Sequence, residues 1–287
     1  MSRVAVVTDS SACLPQELVE QHHIQVVPIT LHLEGRSYND GIDITADEFY
    51  QRLRQAKELP TTSVPGAGVF LEAYTELSRN TESIVCLTVS AAYSGCFEAA
   101  MQARALAAEK LPETEIEVVD SRTALGALGF IVLEAARAAE RGVPLTEVVA
   151  IAKDMIPRVN ALMVMDTLLY LAKGGRIGTA QAWAASALSI KPILEVSTIS
   201  GYTEPVERVR GKRRAIQRLL EIVRERVGEA PLHGIVHHSG VPSEGEDLKA
   251  RVSAEFNCLE LYLTPLTPVV GTHVGPGAVG LAFYAER

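Results

Sequence analysis

The sequence predicts an α/β fold, with an N-terminal, doubly wound, mainly parallel sheet in residues 1–157 and a C-terminal α+β domain in residues 158–287. Two observations lead to this prediction. In the first half, short runs rich in Val, Ile and Leu alternate with helical patterns, as expected for strands that are buried on both faces. In the second half, Ser200-Gly201 separates two apolar runs, and such a turn is typical of antiparallel strands.

The first half is predicted to contain four strands and four helices. The strands are expected at residues 3–7, 24–31, 84–90 and 116–119. The helices are expected at residues 46–57, 66–79, 96–110 and 125–141. Gly142 follows the last helix, and a glycine at this position is a frequent helix terminator.

The second half is predicted to mix antiparallel strands with two helices. The strands are expected at residues 161–166, 234–238, 259–263 and 279–284, with two further runs within 191–202. The helices are expected at residues 211–227, which are strongly basic, and at residues 243–256.

Composition excludes several classes of function. A formal net charge of -8 argues against nucleic acid and against an anionic membrane surface. The four cysteines show no metal-binding spacing, and a chain of 287 residues does not need disulfides for stability. The first residues lack the apolar segment of a signal peptide, and the uncharged segment 261–285 is interrupted by Pro and Gly. We therefore expect a cytoplasmic protein.

Several motifs are rejected on their context. Residues 275–280 match G-x-G-x-x-G, but a dinucleotide site needs a following helix, and here a strand is predicted. Neither a P-loop nor a G-x-S-x-G nucleophile elbow occurs. His233, His237 and His238 lack nearby acidic or thiol ligands, so a structural role is favoured over a metal site. The basic stretch 208–218 is interpreted as a solvated helix face, with an acidic partner as the alternative.

Two hydroxyl-bearing loops each precede a predicted helix. Residues 91–95 open the helix at Cys96, and residues 61–66 open the helix near Gly66. A helix N-terminus carries unpaired N–H groups and partial positive charge, and it therefore favours an anion. Asp9-Ser10-Ser11 and Asp120-Ser121-Arg122 repeat the pattern after two other strands, which indicates one polar crevice. Simple helix capping is the alternative for each loop alone.

Seven segments, in order along the chain, resemble the signature blocks of the DegV family. They are VTDSSACLP, TTSVPG, SAAYSGCFEAA, VVDSRTALG, LLYLAKGGRIG, SIKPIL and GTHVGPGAVGLAF. The resemblance covers essentially the whole chain and implies a bacterial fatty-acid-binding protein. It further implies, as for some members of the family, that the lipid is presented to a separate ATP-dependent kinase, which forms acyl phosphate.

The resemblance implies that Thr62, Ser94 and His273 contact the fatty-acid carboxylate. Ser63 and Gly95 would flank these contacts, partly through their backbone N–H groups. For His273, a hydrogen bond within its own glycine-rich loop is the alternative. The position after Gly95 is usually Thr in the family, whereas this chain has Cys96, a weak hydrogen-bond donor. A family contact through that hydroxyl is therefore not expected here.

An acyl chain needs an apolar tunnel, because each buried CH₂ contributes about 0.8 kcal/mol. Apolar residues of the second half are the candidates, although they are equally suited to an ordinary core. These residues are Leu162, Met163, Met165, Leu168, Leu169, Ile190, Ile193 and Leu194.

The sequence lacks a complete catalytic set, so we expect a lipid carrier that needs no cofactor besides its fatty acid. The fatty acid is expected to bind between the two domains. Lys173-Gly174-Gly175-Arg176 predicts an exposed turn in which Arg176 has no local task. Arg176 is therefore expected to dock the kinase subunit or to steady the transferred phosphoryl group. The alternatives are a hydrolase or transferase that uses Ser94 and His273, and a regulatory lipid sensor.

Overall fold

Three sheets organise the chain in a computed structural model that describes residues 4–183 and 189–286. The strands are β1 (Val4–Asp9), β2 (Gln25–Val27), β3 (Thr30–Leu33), β4 (Arg36–Asn39), β5 (Thr61–Ser63), β6 (Ser83–Thr88), β7 (Glu115–Asp120), β8 (Asn160–Val164), β9 (Ile190–Val196), β10 (Thr203–Arg210), β11 (Leu232–His238), β12 (Cys258–Pro265) and β13 (Val279–Ala285). The helices are α1 (Gln16–Gln21), α2 (Ala46–Leu53), α3 (Ala67–Leu77), α4 (Cys96–Lys110), α5 (Leu125–Glu140), α6 (Leu145–Met155), α7 (Leu169–Lys173), α8 (Lys212–Val227), α9 (Pro242–Glu255) and α10 (Pro268–Val274).

The predicted parallel sheet is present in the first half and has the order β2-β1-β6-β7. Its central strands are almost entirely buried, which explains their continuous apolar runs. The predicted strand 24–31 is wrong, because the chain breaks at Pro28 into β2 and β3, which belong to different sheets. Proline has no N–H to donate to a sheet ladder, so it separates the two strands.

A small antiparallel sheet with the order β4-β3-β5 was not predicted. Its edge strand β5 contains Thr62, which pairs with Leu31 of β3. The expectation that residues 61–66 directly open a helix is therefore wrong for Thr62. Helix α3 begins only at Ala67, after the N-cap Gly66.

The second half forms a mixed six-stranded sheet with the order β10-β9-β8-β13-β11-β12. Only the β11–β12 pair is parallel among these strands of the described chain. The predicted turn at Ser200-Gly201 is confirmed, since it joins β9 and β10 in an antiparallel hairpin. Strand β13 begins at Val279, within the glycine-rich segment 275–280, which confirms that this segment does not open a helix. No helix in the described ranges combines the length and the apolar character that a bilayer crossing requires.

Helix α5 lies between the two large sheets, because it contacts β1 and β6 on one side and β8 and β13 on the other. One continuous apolar core therefore includes residues of both halves, while a second core lies between the six-stranded sheet and helices α8 and α9. The division at residues 157 and 158 stays a prediction.

A partly buried charge network also joins α5 to the six-stranded sheet. Arg137 of α5 donates to Glu260 of β12 at 2.6 Å, and His233 Nδ1 lies 2.6 Å from the other carboxylate oxygen. Burial opposes the charged form of Glu260, but the hydrogen bonds from His233 and Arg137 outweigh it and lower its pKa to about 2. The ionised carboxylate therefore stabilises this junction at neutral pH.

Glu260→Gln is expected to lower the free energy of unfolding by roughly 1.5–3 kcal/mol at pH 7, the range for hydrogen bonds to charged groups. An unfolded glutamate titrates near pH 4.3, so the contribution is complete above that pH and is lost as the pH falls toward 2. Urea unfolding at pH 7 and at pH 3 measures both values. Glu225→Gln, which removes a surface partner of Arg218, is the control. An equal loss at both pH values would contradict this account of Glu260.

Candidate functional site

A mostly apolar cavity lies where the small sheet, the parallel sheet and the six-stranded sheet meet. The empty space in it, its open mouth included, is about 910 Å³. Its polar wall contains Thr62, Ser63, Ser94, Arg176 and His273. These residues come from distant parts of the chain, so the fold brings four of the five predicted carboxylate-site residues into one wall.

Thr62 and His273 form a direct hydrogen bond in this wall. Thr62 Oγ1 lies 3.0 Å from His273 Nε2, although 211 positions separate the two residues. Strand β5 supplies Thr62, and α10 supplies His273 near its C-terminal end. Contacts of α10 with β3 and β5 bring this second-half helix against the small sheet. The proposed alternative, a hydrogen bond of His273 to its own glycine-rich loop, is not observed in the described residues.

His273 is neutral at physiological pH. Burial, together with the nearby charge of Arg176, lowers its pKa to about 4. Its Nδ1 is buried and has no hydrogen-bond partner among the described residues. Gly174 makes this packing possible, since a Cβ there would lie 2.5 Å from His273 Nδ1. Positive charge in this wall is therefore supplied by Arg176 and not by the imidazole.

Ser94 lies in the loop between β6 and α4, directly before the N-cap Gly95. Its Oγ lies 3.2 Å from Cys96 Sγ. Because sulfur is a weak acceptor, the hydroxyl can exchange this hydrogen bond for one to a stronger acceptor at little cost. The backbone N–H groups of Gly95 and Cys96 have no acceptor among the described residues. Ser94 thus lies beside the free donors and the positive end of a 15-residue helix.

Two predicted members of the site have different surroundings. The Ser63 side chain lies 2.9 Å from His32 Nε2 in the small sheet, so its hydroxyl already has a partner. Gly95 is exposed and does not line the cavity, although a Cβ added to it would contact Val64 at 3.7 Å. Their assignment to the carboxylate stays a prediction.

The acidic residues that end β1 and β7 hold the Ser94 loop in place, a role that the sequence did not indicate. Asp9 Oδ2 accepts a hydrogen bond from Val89 N at 2.8 Å, and Asp120 Oδ1 accepts one from Ala91 N at 3.2 Å. The neighbouring hydroxyls of Ser10 and Ser121 bond within their own surroundings, to Ile29 N and Thr123 O respectively. The four hydroxyl-bearing loops thus meet, but their serines do not all face one crevice.

Arg176 differs from its prediction. It is half-buried and lines the cavity, whereas an exposed residue without a local task was expected. Its Nε donates to the Tyr93 carbonyl at 3.2 Å, and its Nη1 donates to the Gly174 carbonyl at 2.6 Å. It forms no ion pair with any described residue, and its Nη2 has no acceptor among them. Two adjacent glycines and a cation suggested an open turn, and only the folded chain shows that the turn faces the cavity.

Three of the eight apolar candidates for the tunnel, Met163, Met165 and Leu194, line the cavity. Leu162 and Ile193 point to the opposite side of the six-stranded sheet, where they join the core under α8. Side chains alternate between the faces of a strand, and apolar residues on both faces hide which face borders the cavity. Leu168, Leu169 and Ile190 do not line it either. Apolar contacts missed by the sequence analysis include Ile29, Val89, Leu125, Val269, Val270 and Val274.

The fold and this site define an α/β ligand-binding protein with a largely apolar cavity and a polar wall able to receive an anion. The chain belongs to the DegV family, since a family model described as "Uncharacterised protein, DegV family" matches residues 3–286. A DegV domain-containing protein of Streptomyces coelicolor is 39% identical over 284 residues, or 98% of both chains. Protein DegV of Bacillus subtilis is 31% identical over 282 residues, again 98% of both.

Solved structures agree with this membership. A DegV family protein from Thermus thermophilus, described by its fatty acid binding, has a TM-score of 0.90 and 30% identity, covering 99% of this chain and 100% of its own. DegV from Bacillus subtilis, described as a fatty acid binding protein, has a TM-score of 0.88 and 30% identity over 100% of both chains. These structures confirm the predicted α/β fold class.

Proposed function

We propose that this protein binds one long-chain fatty acid, with the carboxylate at the polar wall and the acyl chain in the apolar part of the cavity. The observation that carries the proposal is the convergence of Thr62, Ser94, Arg176 and His273 on a largely apolar cavity. Fatty acid binding by the proteins of Thermus thermophilus and Bacillus subtilis supports it.

The polar wall suits a carboxylate through directed donors. If His273 carries its proton on Nε2, it donates to Thr62 Oγ1, and the Thr62 hydroxyl proton is then free for the ligand. The unpaired Nδ1 favours this tautomer. With the proton on Nε2, Nδ1 is a bare acceptor, whereas the other tautomer would leave a buried N–H at Nδ1 without a partner. Ser94 and the N–H groups at the start of α4 supply further donors, and Arg176 supplies the compensating charge.

We further propose that the protein presents its fatty acid to the ATP-binding subunit of a separate kinase in the cytoplasm, and that no other cofactor takes part. The sequence contains no P-loop, so the phosphoryl donor would be held by the partner. Arg176 has an unused Nη2 beside the cavity, which suits contact with the kinase or with the transferred phosphoryl group.

The rival interpretation, a hydrolase or transferase using Ser94 and His273, needs the imidazole to activate the serine hydroxyl. In the structure His273 Nε2 bonds to Thr62, while the Ser94 hydroxyl bonds to Cys96. Neither side chain is bonded to the other, so the geometry favours a carrier.

Incubation of the pure protein with palmitate, Mg²⁺ and ATP, with and without a fatty acid kinase subunit, tests the proposal. We expect acyl phosphate only when both proteins are present, and no hydrolysis of acyl esters by this chain alone. Ester turnover that Ser94→Ala abolishes would establish the hydrolase instead. Palmitate binding without acyl phosphate in the complete mixture would favour a lipid sensor.

A further inference from the structure

Tyr93 and Thr203 line the cavity and form a hydroxyl pair beside Arg176. Tyr93 Oη lies 2.7 Å from Thr203 Oγ1, and Thr203 Oγ1 donates to the Arg176 carbonyl at 2.9 Å. Because the single hydroxyl proton of Thr203 goes to Arg176, the Tyr93 hydroxyl must be the donor within the pair. The hydrogen bonds therefore run in one direction, from Tyr93 through Thr203 to the backbone of Arg176.

The Arg176 side chain closes this set of hydrogen bonds into a ring. Its Nε donates to the Tyr93 carbonyl at 3.2 Å, so Tyr93 and Arg176 each bond to the other, once directly and once through Thr203. The ring joins the Ser94 loop of the first half to the segment after α7 and to the first residue of β10. It fixes both the backbone and the guanidinium of Arg176.

The turn after Arg176 adds a second constraint on Thr203. Gly178 has φ +57°, and a Cβ there would lie 2.1 Å from the Thr203 carbonyl oxygen. Only glycine allows the turn to approach β10 so closely. Thr203 itself is 5% exposed, so water does not readily replace its bond to the Arg176 carbonyl. Small changes at Thr203 are therefore transmitted to Arg176.

From this ring we infer that Tyr93 and Thr203 are positioning residues, which hold the Arg176 guanidinium toward the ligand carboxylate and thereby set the preference for fatty acids over uncharged lipids of the same length. The inference rests on the proposed binding function. Although Tyr93 and Thr203 also line the cavity, both act through Arg176, the only cationic side chain that lines it among the described residues. Glu195, an acidic lining residue, is already paired with Arg226.

The test compares the Kd of palmitate with that of 1-hexadecanol, which has the same tail length without a charge. We expect Thr203→Val and Tyr93→Phe each to reduce the preference for palmitate by roughly tenfold, toward the lower range for a hydrogen bond to a charged group. The Kd of 1-hexadecanol should change little. Thr203→Ser keeps the hydroxyl and should restore the preference, and Tyr202→Phe removes a neighbouring hydroxyl as the control.

A double-mutant comparison separates positioning from general destabilisation. In the Thr203→Val background, Arg176→Ala should have a smaller effect on the preference than in the wild type, because both changes act on the same group. Equal weakening of palmitate and 1-hexadecanol, or additive effects of the two substitutions, would overturn the inference. A wild-type protein that binds neither lipid would instead refute the proposed function itself.

Discussion

Thr62→Val and Ser94→Ala are each expected to weaken fatty-acid binding by roughly tenfold to a hundredfold. A hydrogen bond to a charged group contributes about 1.5–3 kcal/mol, and each substitution removes one such donor from the polar wall. Valine keeps the shape of the threonine side chain, so Thr62→Val leaves the edge strand β5 with a residue that favours strands. For Ser94→Ala the loss should appear in the Kd and hardly in the melting temperature of the lipid-free protein. Thr62→Val also removes the hydrogen-bond partner of His273 Nε2, so it should lower that melting temperature as well.

Displacement of a fluorescent fatty acid by palmitate measures these affinities. Thr61→Val is a matched control, because Thr61 belongs to the same strand but does not line the cavity. It should leave the Kd unchanged. Wild-type affinity in both Thr62→Val and Ser94→Ala would show that these hydroxyls serve the fold alone.

Arg176→Ala is expected to have the largest effect on acyl-phosphate formation. Arg176 lines the cavity, and its charge is close enough to His273 to lower the pKa of the imidazole. The substitution should therefore weaken palmitate binding by roughly tenfold or more. At saturating palmitate, acyl-phosphate formation with the kinase subunit should still be mostly lost. An arginine that faces phosphoryl transfer stabilises charge that develops only during the reaction, so saturation with lipid does not restore the rate.

Two further variants sharpen this test. Arg176→Lys keeps the charge but lacks the planar fork, so it should recover more binding than turnover. Lys173→Ala removes a neighbouring exposed cation that does not line the cavity, and both activities should persist. Normal turnover by Arg176→Ala at saturating palmitate would restrict Arg176 to the lipid site and exclude the role toward the kinase.

Local patterns in the sequence were sufficient for most of the regular structure. The central strands β1 and β6 were predicted because residues buried on both faces give continuous apolar runs. The small sheet was missed because all four residues of β4 are exposed or half-buried and β5 is only three residues long. Strands of this kind form because they pair with a neighbouring strand, and their own hydrophobic pattern does not predict that pairing.

The candidate site shows the same limit at the level of single residues. Thr62, Ser94 and His273 came from the family resemblance, and the fold places all three in one cavity wall. Their contacts depend on segments that are distant in the chain, such as α10 against β5 and the Arg176 turn against the Ser94 loop. The sequence does not state such pairings, so the roles of Asp9, Asp120, Tyr93 and Thr203 emerged only from the structure.

Native mass spectrometry of the purified protein tests the central claim most directly. We predict that each chain carries one fatty acid, and that removing it lowers the melting temperature until palmitate or oleate is added back. A ligand present at a hundredfold excess over its Kd should stabilise the fold by about 2.7 kcal/mol. A lipid-free spectrum, together with an unchanged melting temperature in saturating palmitate and oleate, would contradict the account.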